Sequence, residues 1–126
     1  RRVPLFSGLL PNTLTEVADQ MTLEPFAAGD VVIRQGDPGD KFYLIRRGEA
    51  EVFVRRDGRD ESVALLDEGR FFGEQALLTG EPRNATVRAK TELELCSLSK
   101  EEFQQVLESS STFKEEMRKV LFERQK

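Results

Sequence analysis

Histidine is absent from this chain of 126 residues, and Cys96 is its only cysteine. Without histidine the chain lacks a Ser-His-Asp triad, a Cys-His pair and a histidine metal cluster. A single cysteine excludes an internal disulfide framework and a thiolate zinc site, and it is typical of a reducing compartment. We interpret Cys96 as a core thiol on a strand. The sequence therefore predicts no catalytic residues, no metal site and no enzyme activity.

Long apolar runs and blocks of basic residues are also missing. No apolar run approaches the ~20 residues that span a bilayer, and none follows a charged start as in a signal peptide. The 19 Lys and Arg are balanced by 23 Asp and Glu, whereas a general nucleic-acid binder would show clustered basic residues. We expect no membrane insertion and no direct nucleic-acid binding by this chain. The start at Arg1 is interpreted as that of a soluble piece of a larger protein, cytoplasmic or on the cytosolic side of a membrane protein.

The length and the 38% hydrophobic composition predict one domain, residues 1–126, with one core. Near its start, apolar residues recur at helical spacing, and Thr13 with Glu16 fits a capping box. These features predict an amphipathic helix over about residues 11–22. Its apolar residues are Leu10, Leu14, Val17, Ala18 and Met21.

The middle of the chain, about residues 26–98, reads as a series of short strands. Turn signals recur every ~8–12 residues, which is the spacing expected of a sandwich or barrel. Gly36, Gly48 and Gly69 are interpreted as turn residues, and Phe71 with Phe72 as core. The predicted strand segments are VVIRQG, FYLIRRG, AEVFVR, SVALLD, ATVRA and LELCSL. In AEVFVR, alternate residues give one fully apolar face of Ala50, Val52 and Val54.

After Leu98 the apolar period becomes helical again. Ser99 and Glu102 form a capping-box signature before a helix over about residues 100–108. Thr112 with Glu115 is predicted to cap a second helix over about residues 112–125. The apolar stripes of these helices are Phe103, Val106 and Leu107, and then Phe113, Met117, Val120 and Leu121.

The segment FGEQALLTGEPRNATV, residues 72–87, interrupts the strand pattern. Three interpretations compete for Glu74 and Arg83: a surface ion pair, a fragment of an active site, or a cradle for a small anion. Gly73 allows a close backbone approach, a short helix exposes N–H groups at its start, and Arg83 offers a charged fork to phosphate oxygens. Glu74 would repel a phosphate unless it accepted from hydroxyl groups of the same molecule. The combination favours a ribonucleotide with a single phosphate charge, and a triphosphate fits poorly because GxxxxGK[ST] is absent.

The extended segment FGEQALLTGEPRNATVRA resembles the phosphate-binding cassette of the cyclic nucleotide-binding domain family. The resemblance extends to GDPGDKFYLIRRGEAEV and to SLSKEEFQQVL, and it covers nearly the whole chain. It implies a mainly β fold: an eight-stranded antiparallel β-roll with an N-terminal helix, a short cassette helix and two C-terminal helices. It further implies a ligand, cyclic AMP or cyclic GMP, and no other cofactor.

The resemblance also implies individual roles. Glu74 would take the ribose hydroxyl and Arg83 the cyclic phosphate, while the backbone of Gly73, Gln75, Ala76 and Ala85 would complete the phosphate site. In the family the last helix closes over the base, so the lid candidates are Met117, Val120, Leu121 and Arg124. Asn84 departs from the family pattern, which has Ala in cyclic-AMP-selective kinase subunits and Thr where cyclic GMP is selected; we favour cyclic AMP.

The function predicted from these features is a regulatory sensor. Cyclic nucleotide binding would shift the C-terminal helices and bias an effector outside this chain, such as a channel, transporter or kinase. The tail from Ser99 to Lys126 resembles channel or transporter members. The alternative is a nucleotide-insensitive β-roll used for packing or assembly. A cupin-like enzyme is disfavoured because histidine is absent, and Arg88 is expected to be a solvated strand residue.

Overall fold

The computed structural model describes residues 20–124, with side chains described for residues 20–119. Within this part of the chain there are eight strands and three helices. The strands are β1 (Thr22–Phe26), β2 (Val31–Ile33), β3 (Lys41–Arg47), β4 (Ala50–Arg56), β5 (Arg59–Leu66), β6 (Phe71–Phe72), β7 (Thr86–Ala89) and β8 (Leu93–Ser99). The helices are α1 (Glu74–Thr79), α2 (Lys100–Ser109) and α3 (Ser111–Arg124).

The strands form two four-stranded sheets in which every neighbouring pair is antiparallel. The first sheet has the order β1-β8-β3-β6 and the second the order β2-β7-β4-β5. Consecutive strands β3 and β4 therefore lie in different sheets, as do β7 and β8. The predicted class of an eight-stranded antiparallel β-roll with flanking helices is confirmed.

Strand β3 lies between β8 and β6 in the first sheet and is buried on both faces. Tyr43 and Ile45 point into the cluster between the two sheets, whereas Phe42 and Leu44 belong to a second cluster under the helices. A strand covered on both faces needs apolar side chains at every position, which explains the unbroken run FYLI. The helix-side cluster consists of Phe42, Leu44, Phe71, Leu77, Leu98, Phe103, Val106, Phe113 and Met117.

Aromatic rings hold the helices against the first sheet. The Phe42 ring lies 5.5 Å from that of Phe71, 5.3 Å from that of Phe103 and 5.8 Å from that of Phe113, measured between centroids. Leu77 of α1 joins the same cluster. The cassette helix and both C-terminal helices therefore share one packed core, so a displacement of any one of them disturbs the others.

The start of the roll differs from the sequence prediction. Strand β1 begins at Thr22, whereas the roll was expected from about residue 26 and the first helix to about residue 22. The remainder of that predicted helix, residues 11–19, lies outside the described residues. β1 pairs along its whole length with β8, from Thr22 opposite Ser97 to Phe26 opposite Leu93. The segment TLEPF has weak strand character by itself, and its conformation depends on this partner.

The caps of the two C-terminal helices show one success and one error. The Ser99 hydroxyl accepts from the Glu102 amide at 3.1 Å and the Glu102 carboxylate accepts from the Ser99 amide at 2.8 Å, so the predicted capping box is confirmed. The predicted Thr112 cap is wrong. The Ser110 hydroxyl instead accepts from the Phe113 amide at 3.2 Å, because α3 begins at Ser111, one residue earlier than expected.

A polar group ties β1, β3 and β8 together. The Glu24 carboxylate accepts from the Ser97 hydroxyl at 2.5 Å and from the Lys41 ammonium at 2.9 Å. Burial by itself would raise the pKa of Glu24, but these two hydrogen bonds and the Lys41 charge hold it below its usual value. One residue along β8, Cys96 lies half-buried against the helix-side cluster, and burial raises the pKa of its thiol.

Candidate functional site

A cavity of about 190 Å³ opens between the cassette and the second sheet. Its apolar wall consists of Ile33, Val52, Val54, Val63, Leu66, Phe72 and Val87. Its polar wall consists of Gly73, Glu74, Gln75, Ala76, Arg83, Asn84 and Ala85. All seven ligand-binding residues predicted from the sequence therefore line one cavity, next to an apolar surface that suits a flat ring.

Gly73 has the backbone conformation that the cassette requires. Its φ is +89°, in the left-handed region where a side chain is strained, and it is the N-cap of α1. A Cβ on Gly73 would also lie 2.9 Å from the carbonyl oxygen of Lys41 and 3.0 Å from Nη1 of Arg83. At the other end Gly80 has φ +77° and closes α1 by donating to the Ala76 carbonyl at 2.9 Å. Two glycines thus limit α1 to the six residues Glu74–Thr79.

Arg83 is held by backbone groups on all sides. Its side chain is only 5% exposed; Nη1 donates to the Gly73 carbonyl at 2.7 Å and Nη2 donates to the Lys41 carbonyl at 2.8 Å. Its own amide donates to the Asp37 carbonyl, and its carbonyl accepts from the Gly36 amide, both at 2.8 Å. The planar guanidinium is therefore fixed in orientation before any ligand arrives.

The charge of Arg83 is buried without a salt bridge to any of the described side chains. Burial lowers the pKa of the guanidinium, and the negative charges of Asp40 and Glu74 partly oppose this shift. An arginine nevertheless remains protonated at neutral pH. None of the ion pairs among the described side chains includes Arg83. A buried cation that contacts only neutral carbonyls is suited to bind an anion.

Glu74 begins α1 and is 2% exposed. Its Oε1 atom is buried and accepts no hydrogen bond from the described residues, although Glu74 makes other interactions. The competing interpretation of Glu74 and Arg83 as a surface ion pair is wrong, because both side chains are buried and no ion pair joins them.

The end of the cassette presents Asn84 and Ala85 to the cavity. Asn84 is exposed and Ala85 is half-buried, and both lie in a bend before β7. Arg88, further along β7, is not simply solvated: its guanidinium carbon lies 4.7 Å from the centre of the Phe53 ring. Phe71 and Phe72 are core residues as predicted, and Phe72 also forms part of the cavity wall.

The lid candidates lie apart from this cavity or outside the described side chains. Met117 is buried in the helix-side cluster and does not line the cavity. The backbone of Val120, Leu121 and Arg124 belongs to α3, but their side chains lie outside the described residues. A lid role for these four residues stays a prediction.

Sequence reasoning missed the loop between β2 and β3 as part of the site. This loop contributes the carbonyl of Asp37 and the amide of Gly36 to Arg83, and Gly39 lies against the guanidinium. The pattern GDPGD identified a turn but carried no signal for a contact with residues more than forty positions later. Within the described residues no cluster of acidic or cysteine side chains could hold a metal ion.

No described helix combines the length and hydrophobicity of a transmembrane span.

The chain is 45% identical over 105 residues to a cAMP-dependent protein kinase regulatory subunit of Emericella nidulans, a match that covers 83% of this chain and 25% of that protein. It therefore spans about a quarter of the length of this curated relative.

Two solved structures share the fold. The Thermus thermophilus catabolite activator protein has a TM-score of 0.84 and 28% identity, covering 97% of this chain and 58% of that one. The regulatory domain of Toxoplasma gondii PKA, crystallised with cAMP, has a TM-score of 0.75 and 29% identity, covering 86% and 42%. The family profile described as cyclic nucleotide-binding domain matches residues 23–110. This chain belongs to the cyclic nucleotide-binding domain family.

Proposed function

We propose that this chain is a sensor module that binds one cyclic purine nucleotide, cyclic AMP in preference to cyclic GMP. The observation that carries the proposal is the buried, rigidly held guanidinium of Arg83 in the wall of the cavity. Its remaining N–H groups can donate to two oxygens of a cyclic phosphate. The backbone groups of Gly73, Gln75, Ala76 and Ala85 complete the anion site.

Glu74 and the apolar wall bind the ribose and the purine of the nucleotide. The carboxylate of Glu74 accepts from the ribose 2′-hydroxyl, and the purine lies along the valine-rich wall of the second sheet. The preference for cyclic AMP is supported by the 45% identical kinase regulatory subunit and by the cAMP complex of the Toxoplasma domain. Asn84, at the mouth of the cavity, is the residue we assign to the choice between the two bases.

Binding is relayed through the shared helix-side cluster. Leu77 of the cassette helix packs in the same core as Phe113 and Met117 of α3. A ligand that tightens the cassette shifts this packing and so favours one position of the C-terminal helices. Met117, Val120, Leu121 and Arg124 are proposed to close over the base in that position.

We further propose that residues 1–126 form one domain of a cytoplasmic regulatory protein, without catalytic activity of its own. The effector lies outside this chain. The name of the curated relatives favours a protein kinase over a channel or transporter.

Isothermal titration calorimetry of the ligand-stripped chain with cyclic AMP and cyclic GMP tests this function. One-to-one binding that is tighter for cyclic AMP is the expected result. With 2′-deoxy cyclic AMP, the wild type should bind more weakly, whereas Glu74→Gln should discriminate less between the two ligands. Absence of heat with either cyclic nucleotide, in a chain that still unfolds cooperatively, would support the scaffold alternative.

A further inference from the structure

Gly39 lies where the loop between β2 and β3 meets the cassette. It is partly buried, and its φ does not lie in the left-handed region, unlike that of seven other glycines. Backbone conformation therefore does not require glycine at this position. A different physical reason is needed.

The space around the Gly39 Cα supplies that reason. A Cβ on residue 39 would overlap the Cβ of Ala76 and would lie 3.2 Å from Cζ and 3.3 Å from Nε of Arg83. Five other glycines, Gly29, Gly36, Gly58, Gly69 and Gly80, have open space where a Cβ would be. Gly39 thus lies closer to Ala76, in the first turn of α1, than any side chain permits, and a Cβ there would also make an unusually tight contact with the guanidinium.

The same loop anchors the main chain of Arg83. Asp37 accepts from the Arg83 amide, and Gly36 donates to the Arg83 carbonyl, so neither the loop nor the arginine backbone can easily move to relieve a collision. The guanidinium itself is held by the carbonyls of Gly73 and Lys41, which accept from its two terminal nitrogens. A methyl group at position 39 must therefore displace the guanidinium, α1 or both.

We propose that Gly39 is a positioning residue of the anion site, whose missing side chain sets the separation between Arg83 and α1. The inference rests on the proposed cyclic nucleotide function. In this proposal, a loop outside the cassette positions both groups that hold the phosphate, the guanidinium of Arg83 and the start of α1.

The test is the cyclic AMP affinity of Gly39→Ala, measured by calorimetry beside its thermal unfolding. Because overpacking typically costs about 1–3 kcal/mol, we expect the affinity to fall by roughly ten- to a hundredfold. The matched control is Gly58→Ala, in the β4–β5 turn. Gly58 has φ +77° and open space around it, so alanine there should lower stability and leave the affinity unchanged.

Two double variants distinguish a positioning role of Gly39 from a general loss of structure. Ala76→Gly removes the Cβ that Gly39→Ala would overlap, so the double variant should regain most of the lost affinity. Gly39→Ala should have a smaller further effect in an Arg83→Lys background, because only the displacement of α1 by the overlap with Ala76 then remains.

Three results would overturn the inference. The first is a Gly39→Ala chain with wild-type affinity, and the second is a loss that Ala76→Gly does not reduce. The third is a loss of the same size in the Arg83→Lys background. A wild-type chain that binds no cyclic nucleotide would instead overturn the proposed function and, with it, this inference.

Discussion

At the scale of single residues, Arg83 has a structural role beside its proposed contact with the phosphate. Its guanidinium donates to the buried carbonyls of Gly73 and Lys41. Arg83→Glu is a poor test of the ligand contact, because a carboxylate there would face the same two carbonyl oxygens in a buried site and so destabilise the fold.

Arg83→Lys is the better substitution for testing the ligand contact. Lysine keeps the charge but loses the planar fork, so one strong hydrogen bond to the phosphate disappears. Since a hydrogen bond to a charged group contributes about 1.5–3 kcal/mol, we expect the cyclic AMP affinity to fall by roughly ten- to a hundredfold. Calorimetry measures the affinity, and circular dichroism during heating checks the fold. Wild-type affinity in a folded variant would contradict the phosphate role of Arg83.

At the scale of secondary-structure elements, the polar group of Glu24, Lys41 and Ser97 joins three strands of the first sheet. Glu24 has a lowered pKa, so its contribution to stability is present above the unfolded-state value near 4.5 and is lost as the pH falls through the folded-state value. Glu24→Gln should therefore reduce the free energy of unfolding at pH ~7, and the difference from wild type should shrink in acid.

Urea unfolding at pH ~7 and at pH ~3 measures this difference. Glu61→Gln is the control, because the exposed pair of Glu61 with Arg56 contributes only ~0–1 kcal/mol. An equal loss for Glu24→Gln at both pH values would contradict the charge-based explanation and point to packing.

The capping box of α2 gives a second prediction at this scale. Ser99→Ala removes the acceptor of the Glu102 amide and should destabilise the domain by about 1 kcal/mol. Ser109→Ala, an exposed position at the other end of α2, should have almost no effect. Urea unfolding compares the two, and equal losses would show that the box contributes nothing specific.

At the scale of the whole molecule, ligand binding and stability are linked. A ligand that binds only the folded state stabilises it by about 2.7 kcal/mol at a concentration a hundredfold above its dissociation constant. For a domain of this size, cyclic AMP should then raise the Tm by about 10 °C. Thermal unfolding with and without cyclic AMP measures the shift, and Arg83→Lys at the same ligand concentration should show a smaller one. An unchanged wild-type Tm under saturating ligand would contradict the binding proposal.

The sequence by itself predicted a sandwich or barrel from its turn spacing, and the resemblance of its cassette to a known family supplied the eight-stranded β-roll and completed the seven residues of the polar wall. Turn signals and β-branched or aromatic residues identified the middle strands, and alternation of apolar residues identified the core face of AEVFVR. The cassette could be identified from the sequence because its glycines, Glu74 and Arg83 lie within one short segment. Local patterns therefore indicated a β fold and an anion site around Gly73, Glu74 and Arg83, and the family resemblance supplied the rest.

Only the tertiary structure decided which distant segments complete that site. TLEPF is a strand because β8 pairs with it, and the β2–β3 loop belongs to the site because its backbone pairs with Arg83. Ser110 rather than Thr112 caps α3 because the helix starts one residue earlier than its own pattern indicates. These contacts join residues far apart in sequence or depend on exact backbone geometry. Residue spacing encodes neither, because such interactions exist only once the sheets have paired.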